Sequence, residues 1–127
     1  MVAIENTERF GHVFMDRLSP SDRRDLMAQG RRVRLPGGAT GLIEGQVSGQ
    51  VLLLLKGHVR AWSTSSHGHQ SLLAVRRPGD LVGELSALDG RPHSATVSTL
   101  ETVEALAISA SSFRSFLRSH ADAARRA

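Results

Sequence analysis

The chain has 127 residues, 40% of them hydrophobic and only 4% aromatic, which suits one globular domain with an aliphatic core. Cysteine is absent, so disulfides, thiolate metal sites and cysteine catalysis are excluded. The net charge of +4 permits contact with nucleic acid, but it rests on scattered arginine pairs, at 23–24, 31–32, 76–77 and 125–126, which read as solvated surface.

No basic-then-apolar stretch opens the chain, and its longest aliphatic run, Val51 to Leu55, is far short of the ~20 residues of a membrane span. A cytoplasmic protein without a membrane partner is expected. Residues 1–9 read as a loose lead-in. Phe10, Val13, Phe14 and Leu18 share a helical face. Ser19, Pro20 and Asp22 are a helix start: an N-cap, a proline at the first position and an acid two further on. That helix should run to about Gln29 and stop at Gly30, with Leu26 and Met27 docked on the rest of the fold.

Short strands follow, with glycine-bearing turns between them. Arg31 to Leu35 is the first and Thr40 to Glu44 the second. Gly45 and Gly49 bracket a polar loop. Val51 to Leu55 is apolar at every position, as in a strand buried on both faces. His58 to Thr64 and His69 to Arg76 flank a hairpin tip at Ser65–Gly68. A turn at Arg77–Asp80 leads to the stretch GELSALDGRPHSATV, Gly83 to Val97.

Glu84 to Asp89 reads there as one short helix, opened by Gly83 and closed by Gly90. Pro92 forces an extended exit. Ser94 to Leu100 returns as a strand with Ala95, Val97 and Thr99 on one face, and Thr102 to Ile108 is the last strand. Such a unit could cradle a phosphate. The helix start offers free backbone N–H groups, Gly83 permits close approach, Ser94 can donate, and Glu84 can accept from hydroxyls. It could equally be a helical turn packed on a sheet. About eight strands in this spacing argue for a mainly β, antiparallel sandwich or roll. Phe113, Phe116 and Leu117 then form the apolar stripe of a C-terminal helix, and Ser119 with Asp122 reads as the cap of another over Ala121–Ala127.

The run GDLVGELSALDGRPHSATV, Gly79 to Val97, resembles the phosphate-binding cassette of cyclic-nucleotide-binding domains, most of all those of the catabolite-activator/FNR (Crp/Fnr) bacterial transcription regulators. The departure is His93, where that family carries the arginine that pairs with the cyclic phosphate. The resemblance implies a β-roll of eight strands between flanking helices. Residues 1–30 would be a helical lead-in, 31–108 the roll and 109–127 C-terminal helices. In the family a long dimer-forming helix that reaches the base and a helix-turn-helix DNA-binding domain come next, and this chain is read as ending before them. It implies cAMP or cGMP as effector, no metal, a homodimer in the full-length protein, and DNA contact only through the missing domain.

The same resemblance assigns roles. Gly83 and Glu84 contact the ribose, Glu84 through the 2′-hydroxyl. Leu85 and Ser86 offer backbone N–H groups near the phosphate, and Ser94 donates to it. Leu72, Leu73 and Ala74 line the base, while Ala95 and Thr96 hold the returning strand. His93 offers fewer donors than arginine and, at an ordinary pKa of ~6.5, is charged in only about a quarter of molecules at pH 7. Arg91 is a possible substitute. The other reading of His93 is that the roll has lost its ligand and serves as a scaffold or dimerisation module.

Catalysis is not expected. His67 and His69 have the spacing of two metal ligands on one strand, as in cupins, but the acid that should follow is replaced by Leu73 and Ala74. No nucleophile-elbow pattern occurs.

Overall fold

The computed structural model describes residues 14–120. Its strands are β1 (Arg31–Leu35), β2 (Thr40–Leu42), β3 (Gln50–Lys56), β4 (Val59–Thr64), β5 (Gln70–Arg76), β6 (Leu81–Val82), β7 (Thr96–Thr99) and β8 (Val103–Ser109). They form two four-stranded antiparallel sheets, ordered β1-β8-β3-β6 and β2-β7-β4-β5. The helices are α1 (Pro20–Met27), α2 (Glu84–Asp89) and α3 (Ala110–Ser119). The mainly β roll expected from strand spacing is the fold observed.

β3 and β8 lie side by side and are buried on both faces, which explains the unbroken apolar run of β3. Leu52, Leu54, Ala105 and Ala107 point between the two sheets, with Leu42, Val59 and Val97. Val51, Leu53, Leu106 and Ile108 point the other way and meet the helices through Leu26, Phe113, Phe116 and Leu117. Alternation along a strand thus gives one pair of strands two cores.

α1 begins as its residues dictate. Ser19 Oγ accepts from the Asp22 N–H at 3.1 Å, and Pro20 fills the first position. The helix ends at Met27, two residues early, and Gly30 has no left-handed backbone to supply. It is needed for space: a Cβ there would stand 2.5 Å from the Ala107 carbonyl oxygen of β8. The helix expected over 10–18 is, within the described residues, a 3-10 turn at Phe14–Arg17 whose Phe14 is buried as expected. Ser119 is the last residue of α3 and His120 its C-cap; the helix expected over 121–127 lies outside the described residues.

His120 ties α3 to α1. One ring nitrogen lies 2.8 Å from the Phe116 carbonyl, and Nε2 lies 3.0 Å from Asp25 and 3.7 Å from Asp22. The hydrogen bond to Asp25 and then that to Phe116 raise its pKa. Because the folded value exceeds the unfolded one, this stabilisation is complete below about pH 6.5 and is lost as pH rises through the folded value. Urea unfolding of wild type and His120→Gln should therefore differ most near pH 6 and converge towards pH 8. A constant difference would assign His120 to packing alone.

Candidate functional site

The stretch Gly79–Val97 wraps one end of the roll. Gly79 and Asp80 bond to Leu54 of β3, N–H to carbonyl in each direction, at 2.7 and 2.9 Å. Asp80 also caps its turn, accepting the Arg77 N–H at 3.1 Å. α2 spans Glu84–Asp89 as expected, between Gly83 and Gly90, both left-handed at φ +84° and +74°. At Gly83 a side chain would also crowd the Gln50 carbonyl and Leu42, each 3.1 Å from the missing Cβ. From outside, Arg114 of α3 donates to the Ala87 carbonyl at 2.8 Å and pins the short helix.

Between α2, β5 and the segment leading into β7 lies a cavity of about 390 Å³, large enough for a small ligand. Gly83, Glu84, Leu85, Ser86, His93, Ser94, Leu73 and Ala74 all line it. Leu72 does not: it is exposed, and the β4–β5 register slips beside it, Ala61 facing Ala74 but Trp62 facing Leu72. That bulge turns Leu72 off the inner face and brings Leu73 onto the cavity wall. Sequence reasoning missed Leu42, Ala61 and Val97, which supply apolar wall, and Arg76. The signal for Arg76 was there, since it sits two residues beyond Ala74, on the same face of β5.

Glu84 is half-buried, and its Oε2 is buried without a hydrogen-bond partner. Burial raises its pKa, and Asp80 adds to this; its own backbone N–H and the Arg76 charge oppose it. His93 is buried at 7% exposure and fully engaged with the Gly45–Ser48 loop. Its N–H donates to the Gln46 carbonyl and its carbonyl accepts from Gly45, each at 2.9 Å. Its Nε2 lies 3.0 Å from Ser48 Oγ. Burial lowers its pKa, so the free imidazole is neutral at pH 7 more fully than the ordinary value implies. Arg91, which also lines the cavity, is exposed and donates through Nε to Asp89 at 2.7 Å.

His67 and His69 sit on the exposed β4–β5 hairpin, where their backbone N–H groups bond to Ser65 Oγ. Neither joins a group of three potential metal ligands among the described residues. No described helix is long and apolar enough to cross a membrane.

Residues 32–120 match the cyclic nucleotide-binding domain family. The chain belongs to that family. A CRP-like cAMP-activated global transcriptional regulator of Mycobacterium tuberculosis is 28% identical over 100 residues, covering 79% of this chain and 45% of the relative. The cyclic AMP receptor protein of Thermus thermophilus is 29% identical over 101 residues, 80% of this chain and 47% of that protein. This cyclic nucleotide-binding domain therefore spans less than half the length of those relatives. The crystal structure of the Thermus thermophilus catabolite activator protein superposes with a TM-score of 0.82 at 26% identity, over 89% of this chain and 53% of that one. The N-terminal domain of a Streptomyces coelicolor transcriptional regulator gives 0.73 at 29% identity, over 89% and 79%. The Mycobacterium tuberculosis and Streptomyces coelicolor relatives are transcriptional regulators, and the unit matched by residues 32–120 of this chain is a cyclic nucleotide-binding domain.

Proposed function

We propose that this domain is the effector-sensing part of a Crp/Fnr-type transcription regulator and takes a cyclic nucleotide, cAMP or cGMP, in the cavity under α2. The full protein would work as a homodimer and reach DNA through a further domain. The observation that carries the reading is Glu84, which lines this ligand-sized cavity and whose Oε2 is buried with no hydrogen-bond partner. A buried acceptor left unpaired costs ~1–3 kcal/mol, and a ribose 2′-hydroxyl would satisfy it. Leu85, Ser86, His93 and Ser94 line the same cavity, and in this reading Ser94, the N–H groups of Leu85 and Ser86, and His93 would meet the phosphate. Leu73, Ala74, Ala61 and Val97 supply apolar wall for a base.

His93 makes the binding proton-linked. Free, it is neutral and bonded to Ser48; beside a phosphate the imidazolium is favoured. Calorimetric titration with cAMP and cGMP should show affinity rising as pH falls from about 7.5 to about 6, by at most roughly tenfold per unit for uptake of one proton. In His93→Arg the rise should vanish and binding at the higher pH should tighten. Tight binding that is flat with pH in wild type would remove His93 from the phosphate. No heat from either protein would favour a ligand-free scaffold.

A further inference from the structure

Away from the nucleotide cavity, two elements distant in sequence bring three metal-ligating side chains together. Asp22 and Asp25 stand three residues apart on α1, so both carboxylates leave one face of the helix. His120 is the C-cap of α3 and reaches that face. Its Nε2 lies 3.0 Å from Asp25 Oδ2 and 3.7 Å from Asp22 Oδ1. One ligand atom from each of the three residues falls within 4.8 Å of the others. Ligand atoms bonded to zinc at about 2.0–2.1 Å lie roughly 3.3 Å apart in a tetrahedral site, so the trio is close to the spacing such an ion needs.

The imidazole is oriented by contacts outside the trio. Nδ1 lies 2.8 Å from the Phe116 carbonyl oxygen, and the ring stacks on Phe116 at 4.2 Å between centroids. A carbonyl only accepts, so Nδ1 donates, and in the neutral ring the lone pair is on Nε2. A ring N–H given to a backbone carbonyl behind the coordinating nitrogen is the support that metal-bound histidines carry. In front of Nε2 are two carboxylates, which are acceptors as well. The proton of an imidazolium serves one of these contacts, whereas a divalent cation serves all three. The side chains of His120 and Asp22 are 18% and 21% exposed and that of Asp25 is 57%, which leaves the trio shielded on one side and open to an ion on the other.

We propose that Asp22, Asp25 and His120 form a zinc-type site that clamps the helix before the roll to the helix after it. Imidazole with carboxylates suits zinc, whereas magnesium and calcium favour oxygen ligands throughout. Three protein ligands leave a fourth position for water. The proposal is independent of the cyclic-nucleotide reading.

The test titrates the metal-stripped whole chain with zinc chloride by calorimetry and follows its melting temperature. A variant carrying His67→Gln and His69→Gln removes the exposed hairpin pair, the other place where zinc could lodge. Wild type and this hairpin variant should bind one zinc per chain with equal affinity. His120→Gln and Asp25→Asn should each weaken that binding by at least about tenfold. Excess zinc should raise the melting temperature of wild type by more than about 5 °C and leave that of His120→Gln unmoved. Asp25→Asn, at the exposed edge, decides the matter should His120→Gln fail to fold. Absence of both heat and a melting shift in wild type overturns the proposal, as does zinc binding that survives both ligand variants or disappears only in the hairpin variant. Magnesium binding more tightly than zinc would overturn it too.

Discussion

Glu84→Ala is expected to weaken cyclic-nucleotide binding by roughly tenfold to a hundredfold while leaving the ligand-free domain as stable as wild type at neutral pH or slightly more so. The binding loss follows from hydrogen-bond energetics. A bond to a charged acceptor is worth ~1.5–3 kcal/mol, and tenfold in affinity is ~1.4 kcal/mol. The stability result follows from the free site. Glu84 Oε2 is buried without a partner, and burial raises its pKa. A carboxyl whose folded pKa lies above its unfolded one contributes stability fully present below the unfolded pKa of ~4.3 and lost as pH rises through the folded value. At pH 7 the wild type therefore carries the cost of the buried charge and the variant does not. Urea unfolding at about pH 4 and pH 7, beside calorimetry, checks both halves. A loss above ~2 kcal/mol at pH 7 would make Glu84 a structural residue and remove the main support for a ligand site.

Phe113→Ala is expected to cost about 3–5 kcal/mol, the largest stability loss foreseen for a single substitution here. Phe113 is fully buried in the core that joins α1 and α3 to β3 and β8, beside Leu26, Leu53 and Ile108. Truncating it leaves a cavity under α3. At ~4–8 °C per kcal/mol the melting temperature should fall by more than about 12 °C. The damage should reach the ligand cavity, because Arg114, the next residue, holds the Ala87 carbonyl of α2. Arg114→Ala should therefore reproduce part of any affinity loss with little of the stability loss. A fall of less than about 1 kcal/mol in Phe113→Ala would show that α3 only lies against the roll.

Several elements are legible in the residues alone. The Ser19–Pro20–Asp22 cap, β1, the limits of α2 and the stripe Phe113, Phe116 and Leu117 each rest on local rules. Capping, turn stereochemistry and helical periodicity act over a few residues. The cassette is legible for a related reason: its residues sit close together along the chain. Strand ends are less so. β2 ends at Leu42 and β7 begins at Thr96, because pairing to neighbouring strands and not propensity ends a strand.

The positions that local rules misjudge share a cause. Gly30 has the look of a helix stop, but the constraint on it comes from the Ala107 carbonyl, distant in sequence. Leu72 belongs to an apolar run that suits a cavity wall, but the bulge against Trp62 turns it out. Arg76, one of a pair of arginines, has the pattern of surface charge, yet it lines the cavity. The ordinary pKa of a histidine does not apply to His93, and nothing local shows that Ser48, Gln46 and Gly45 enclose it.

The roll, the family and the cassette stretch can be read from the residues alone, since they depend on periodicity, turn chemistry and one contiguous motif. The electrostatic environment of the site is a property of the folded arrangement. Burial raises the pKa of Glu84 and lowers that of His93, and for Glu84 its own backbone N–H, Arg76 and Asp80 act as well. Those groups converge only when β5, the turn before β6, and the Gly45–Ser48 loop close around α2, and desolvation is a property of that closed arrangement, not of any residue alone.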